Sequence, residues 1–489
     1  MQEHIRALIV ILFLGLIGFY LVKKIIPKDI PSSELSRWRN IWFAVLVSAF
    51  ISNNFWLYIL SATFLILLLA KKINNKTALF FILLFVIPPI AMPVPGMAMV
   101  NYLISLDHIR FISLLILLPA ALVLMQKNDF KFGKAKADKF MLLYIFLVIA
   151  LEFRDTTLTD GLRKCFYMVT DIFLPYYVFS RGIKDLSQMR TTICAFLTTA
   201  IVMSVIAMFE NIKHWLLYNS LGAALGASSG GGLYLGRSGE LRVLASFGHS
   251  IVLGYFMAVA FGCYLYINIS IKNIMMRRLG FLMIFAGLLM PLSRGPWVGA
   301  LVIYIVFILQ GKSAFKKLSM LMLAGVIALP LLIIIPGGQK YIDLIPYFGT
   351  AEQANVHYRE RVFDNSMIVI KRNLLLGSSN YLQSPEMQQL KQGQGIIDVV
   401  NSYIIIALES GIVGLTLFVS IFLSVIFSVR AQLKRIKDNT TELHILGRSL
   451  LAIIVGIMLI IYTVSSIMTV PIIYWTMLGL GLAFTRLSV

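Results

Sequence analysis

The chain has 489 residues, 59% of them hydrophobic and only 13% charged, where a soluble domain carries about 25% charged residues. That balance excludes a soluble enzyme, a disordered chain and a secreted disulfide scaffold. Apolar runs long enough to cross a bilayer recur from end to end, which predicts an all-α polytopic membrane protein. The runs are continuous rather than alternating, so an outer-membrane barrel is excluded too.

The net charge of +21 is unevenly placed. Loops at 23–39, 71–77, 126–139, 181–190, 272–278, 311–317 and 430–448, with Arg486, hold 28 of the 43 basic and 7 of the 22 acidic residues. They therefore carry the whole excess, and charges elsewhere cancel. By the positive-inside rule these loops are cytoplasmic, and no nucleic-acid partner is needed to explain the basic excess.

In chain order, the run Leu8–Val22 is followed, not preceded, by Lys23 and Lys24. A cleaved signal peptide has the opposite order, so this run is expected to be a membrane helix. The stretch 41–70 is long for one helix, and a hairpin turning at Asn53-Asn54 returns both ends to the cytoplasmic side. The expected total is about 12–14 membrane helices with one large outer loop. Four parts follow: N-terminal helices at 1–209, helices with outer-face arginines at 210–335, the outer loop at 336–399 and C-terminal helices at 400–489. Asp171 stands alone in FYMVTDIFLPYYVF as an intramembrane carboxylate without an assignable partner.

The outer segment 210–245 contains ALGASSGGGLYLGRSGELRVL, whose glycines and serines predict irregular, mobile backbone. Arg237 and Arg242 precede the apolar run that begins near Val243. An arginine there grips a phosphate bidentately or anchors at the interface. His249, just inside that run, is either a satisfied buried histidine or a base. Arg294 is the sole charge between Arg278 and Lys312. Its Ser-Arg-Gly turn follows a 14-residue apolar arm of about 21 Å, short against a hydrocarbon core of about 30 Å. The turn is thus expected below the membrane surface, where an arginine meets an anion, faces water, or snorkels outward.

The loop at 336–399 carries Arg359, Arg361, Lys371, Arg372 and Lys391 with Tyr341, Tyr347, Tyr358 and Tyr381. Within RERVFDNSMIVIKRNLLLG, Val362, Met367, Ile368, Ile370 and Leu374 recur at helical spacing. They predict a helix on or near the outer membrane surface. His357 beside the arginines is a general base or a solvated loop histidine. In DVVNSYIIIALESGIVGLTLF, Asp398 and Asn401 either cap the helix that follows or face a site. Asn401, Tyr403 and Glu409 are its polar positions, and Glu409 either pairs with an arginine or is a protonated core group. Gly411 and Gly414 suit close helix packing. Cys165, Cys194 and Cys263 lie in apolar stretches with no CxxC spacing and read as core residues. No metal or nucleotide motif occurs, so no cofactor is expected.

Arginines around a membrane-embedded cavity suit a pyrophosphate attached to a lipid. Fixed guanidiniums stabilise the charge that develops when a glycosyl group leaves it, and a carboxylate or histidine takes the proton of the incoming hydroxyl. RVLASFGHSIVLG at 242–254, LSRG at 292–295, the arginine-bearing loop with Leu376-Gly377, and VNSYIIIALESGIVG at 400–414 together resemble the O-antigen ligase and polymerase superfamily. The resemblance spans about 230–420.

It implies a multi-pass enzyme of the inner membrane, active outward, with an undecaprenyl-pyrophosphate-linked glycan donor and a glycan acceptor. A flippase and a chain-length regulator are its expected neighbours. Arg242 and Arg294, with Arg359 and Arg361, would bind pyrophosphate. Asp398, His357 or His249 would be the base, supported by Asn401, Tyr403 and Glu409. Ligases of the family carry a histidine where Val400 stands, so the chain looks more like the repeat-unit polymerases of exopolysaccharide, capsule or O-antigen. Transfer of glycan to lipid A core or protein by a ligase is the alternative within the family. A lipid-linked oligosaccharide flippase is the alternative outside it.

Overall fold

The computed structural model describes residues 2–97, 100–127, 130–229, 234, 236–237, 239–334, 353–392 and 395–487. It is built almost wholly of helices. Among the described residues seven helices are long and apolar enough to cross a membrane: Glu3–Ile25, Phe55–Lys72, His108–Gln126, Leu186–Lys213, Ser250–Ser270, Ser402–Arg435 and Glu442–Ile460. The apolar helices Arg294–Leu309 and Val470–Phe484 are shorter. Leu186–Lys213 and Ser250–Ile267 are the central pillars, buried on all sides along most of their length. Such all-round burial fits their all-round apolar sequence.

Loop-to-loop bonds sort the two faces. Arg190 joins Asp29 (2.7 Å) and Glu442 across three basic loops, and Arg37 donates to the Lys72 carbonyl at 2.9 Å. Buried Arg181 pairs with Asp138 at 2.6 Å, and Arg448 donates to the Phe307 carbonyl. The basic segments thus gather on one face, as alternating helices require. Asn53 has a positive φ of 47°, and Asn54 caps Phe55–Leu69 by accepting from the Trp56 and Leu57 amides. The hairpin turn is where the paired asparagines predict it, since asparagine tolerates the left-handed region and caps well.

On the opposite face a small sheet interrupts the helices. Ile90–Pro95 pairs antiparallel with Tyr102–Asp107 on one side and with Ser228–Ser229 on the other. Pro93 and Pro95 lie beyond the short stretch that Ser228–Ser229 reaches, and on the other side the register shifts between them. Two π-helical turns, Ser113–Leu117 and Met168–Phe173, lie just before Pro119 and Pro175. A proline ring cannot donate to the carbonyl four residues back, and a widened turn absorbs the mismatch. The second turn carries Asp171, whose partner is Arg110: Nη2 to Oδ2 is 2.9 Å and Nε to Oδ2 is 3.1 Å, with the guanidinium 4.0 Å from the Tyr167 ring centre.

Ser402–Arg435 is broken at Gly411, where φ is 65° and ψ is −168°. Backbone from the long loop fills the break. Ile412 and Val413 donate to the Leu374 and Leu375 carbonyls at 2.9 and 3.3 Å, and Ser378 donates to the Leu408 carbonyl at 2.8 Å. Gly411 was expected to pack against a helix; it faces this loop instead, and a Cβ there would run into the Leu375 carbonyl. That backbone region is open essentially to glycine alone, and a strained residue there costs about 1–3 kcal/mol. Gly411→Ala is therefore expected to lower the thermal unfolding midpoint of the purified protein, while Gly414→Ala, which has no positive φ and meets a side chain rather than backbone, lowers it less. Equal midpoints for the two variants would count against the break.

The helix Gln353–Arg372 is present, and its apolar face packs on protein. Tyr358, Val362, Val369 and Ile370 form a cluster with Met387, Leu390, Val399 and Leu408. Of the glycine-rich tract expected to be mobile, residues 230–233, 235 and 238 lie outside the described residues, as do Tyr341 and Tyr347 within 335–352.

Candidate functional site

The site begins at a buried carboxylate. Glu210, near the end of a 28-residue helix, has no exposed surface. It accepts the amides of Leu217 (3.0 Å), Leu244 (3.1 Å) and Ala245 (2.8 Å). Those bonds hold the strained turn at Ala245, with φ of 47°, and so fix the segment that carries Arg242.

Arg242 lies across the turn between Ile274–Leu289 and Arg294–Leu309. Its Nη2 donates to Ser293 Oγ at 3.1 Å and its Nε to the Pro291 carbonyl at 3.4 Å. Arg237 Nη1 reaches the Leu292 carbonyl between them at 2.5 Å. Leu292 has a positive φ of 51°, and the Trp297 indole closes the turn on the Leu288 carbonyl at 2.9 Å. Arg294 follows at once, half-buried in the first turn of its helix, where free N–H groups and the helix dipole add positive potential. Three arginines from two distant stretches of sequence therefore converge on one turn.

A polar bridge, YTVSS at 462–466, connects this turn to the start of Ser402–Arg435. On one side a Cβ on Gly295 would run into Thr463 Oγ1, and one on Gly248 would sit 3.2 Å from Met468 Sδ. On the other side Ser465 Oγ donates to Asp398 Oδ1 (3.3 Å) and to the Val399 carbonyl (3.1 Å). The Ser402 amide donates to Ile461 O (2.9 Å) and its hydroxyl to Val464 O (2.7 Å). Asp398 also donates its amide to Tyr358 Oη at 3.1 Å. The residue as a whole keeps exposed surface. Surrounding protein pushes its pKa above the ordinary carboxylate value, while the Ser465 hydroxyl and the nearby Arg359 charge pull it back.

The other expected residues divide. His249 caps Ser250–Ile267: Nδ1 accepts the Ile251 amide at 3.1 Å. Burial and the Arg242 charge hold its pKa down at about 4, so the ring is neutral with Nε2 protonated. The one nitrogen able to accept a proton is already engaged. His357 points to solvent and meets Glu360 Oε2 at 3.2 Å. Arg361 is exposed, two residues from Arg359 and so on another face of the helix. Asn401 is a helix cap, accepting the Tyr403 and Ile404 amides at 2.9 and 3.2 Å. Tyr403 braces the next helix through the Met458 carbonyl at 2.8 Å. Glu409 faces Lys164 and Glu152, which are 3.6 Å apart. These last three are scaffold around the site. The apolar groove between Ser32–Ile51 and Phe55–Leu69 shares none of these residues.

Sequence reasoning missed Glu210, Thr463 and Ser465. Glu210 did leave a signal, as the one acid ending a long apolar run. So did the bridge, a polar run between two apolar helices.

Residues 279–419 match the family model described as O-antigen ligase. Over that stretch the chain is similar to the O-antigen ligase family, which supports the resemblance to the O-antigen ligase and polymerase superfamily. The matched stretch takes in Arg294, Arg359, Asp398 and the helix break, and leaves Arg242 outside it. No curated protein matches the chain.

Proposed function

We propose that this membrane protein is a polymerase-type glycosyltransferase joining polyprenyl-pyrophosphate-linked oligosaccharide units at the outer face of the inner membrane. The observation that carries the reading is the seating of Arg242 on the very turn that ends in Arg294, with Asp398 bridged to that turn through residues 463–466. In this reading the diphosphate lies against the two guanidiniums while its lipid remains in the bilayer. The acceptor hydroxyl oxygen bonds to the anomeric carbon as the bond from that carbon to the phosphate oxygen breaks. The electron pair leaves with the lipid diphosphate, where the arginines stabilise it. Asp398 takes the hydroxyl proton, and its raised pKa makes it a better base than an ordinary carboxylate.

Val400, in the place of the histidine that family ligases carry, supports the polymerase branch. The test is deletion of the gene, electrophoresis of surface glycan, and rescue with wild-type or Arg294→Ala protein. The deletion strain is expected to show single repeat units without long chains, restored by wild type and not by the variant. Long chains stranded on the lipid carrier would mean a ligase, and units trapped in the cytoplasmic leaflet a flippase; either overturns the proposal.

A further inference from the structure

Leu374, Leu375 and Leu376 are 52%, 64% and 41% exposed, three consecutive large apolar side chains in the loop expected to be aqueous. Their backbone cannot retract. It is locked into the helix break at Gly411 by the Ile412 and Val413 amides. Beyond it, Arg154 Nη2 donates to the Gly377 carbonyl at 3.0 Å and the Ser379 amide donates to Asp155 Oδ2 at 2.9 Å. Gly377 itself, at φ of 61°, lies so close to the Leu408 carbonyl that a Cβ would not fit.

Depth follows from the helix these leucines sit on. Ser402–Arg435 carries no charge from Ser410 to Val429, 20 residues between Glu409 and Arg430. Past the break, Ile412 to Val429 rises about 27 Å at 1.5 Å per residue, close to the hydrocarbon core of about 30 Å. With Arg430 at one boundary, Glu409 marks the other, and Ile412 and Val413 lie just inside it. They are 44% and 37% exposed and begin a lipid-facing stripe that continues through Leu423 and Phe427. The leucine backbone is bonded at that same level. The exposed run is thus continuous with the membrane face, and charges flank it: Lys371 and Arg372 before, Arg154 and Asp155 alongside.

We propose that Leu374–Leu376 insert into the acyl-chain layer on the long loop's side of the membrane, as an anchor that fixes the height of that loop. Because Arg359 and Asp398 flank the same loop, the anchor sets their distance from a lipid headgroup. The inference does not depend on the glycosyltransferase reading, and its test does not measure transfer.

The full chain, with its three native cysteines replaced, takes a single cysteine at 374, 375 or 376 and an environment-sensitive fluorophore. It is reconstituted into phosphatidylcholine vesicles with or without brominated acyl chains. Emission from 375 is expected to be blue-shifted, to be mostly lost in brominated lipid, and to resist iodide in the water. A label at exposed His357 should behave in the opposite way. If one leucine position does not yield folded protein, its neighbours give the same reading. Iodide quenching at all three positions equal to that at 357 would overturn the anchor.

Discussion

Arg294→Ala is expected to lower the rate of glycan transfer by purified, reconstituted protein about 10²–10³-fold, the loss typical when one fixed donor to a developing oxyanion is removed. Arg242→Ala should fall in the same range. Lysine is expected to rescue neither position fully. At 242 the guanidinium spans the Pro291 carbonyl and the Ser293 hydroxyl, and an ammonium lacks the planar fork to hold that turn and a phosphate together. If both arginines grip one diphosphate, their effects are coupled, and the double variant should lose less than the product of the single losses. Strictly multiplicative losses, or a wild-type rate in either variant, would show that the two do not share a ligand.

The fold was legible wherever periodicity and local chemistry act alone. Asn53-Asn54 turns the hairpin because asparagine tolerates a positive φ and caps the next helix. The basic loops gather on one face because one side of the membrane selects them. The Ser-Arg-Gly turn breaks the apolar run where Ser293 and Arg294 stand. What escaped prediction depends on pairing across long stretches of chain. Asp171 finds Arg110 from another helix. Glu210 reaches forward to amides at 217, 244 and 245, and nothing in a linear sequence says that a carboxylate serves backbone rather than a cation. The helix Gln353–Arg372 shows the converse. Its amphipathic spacing was read correctly, but spacing reports only that one face is covered. Met387, Leu390 and Leu408 cover it, while the leucines just beyond its end stay bare.

Asp398→Asn is expected to lower transfer about 10²–10⁴-fold, the range of a positioned general base, without comparable loss of donor binding. The pH profile carries the sharper test. A carboxylate accepts a proton only when ionised, so the wild-type rate must fall as pH drops through the pKa of Asp398. Burial raises that pKa, which puts the acidic limb above the pH at which an ordinary aspartate would place it. Arg359 acts the other way, since its charge favours the ionised form. Arg359→Ala should therefore move the limb to still higher pH, whereas a substitution that only loosened the fold would lower the rate without moving it. In Asp398→Asn the residual rate should be flat across the same range. A limb that persists unchanged in Asp398→Asn would assign the base elsewhere. His249 would remain a poor substitute, because proton acceptance at Nδ1 would cost the cap on Ser250–Ile267.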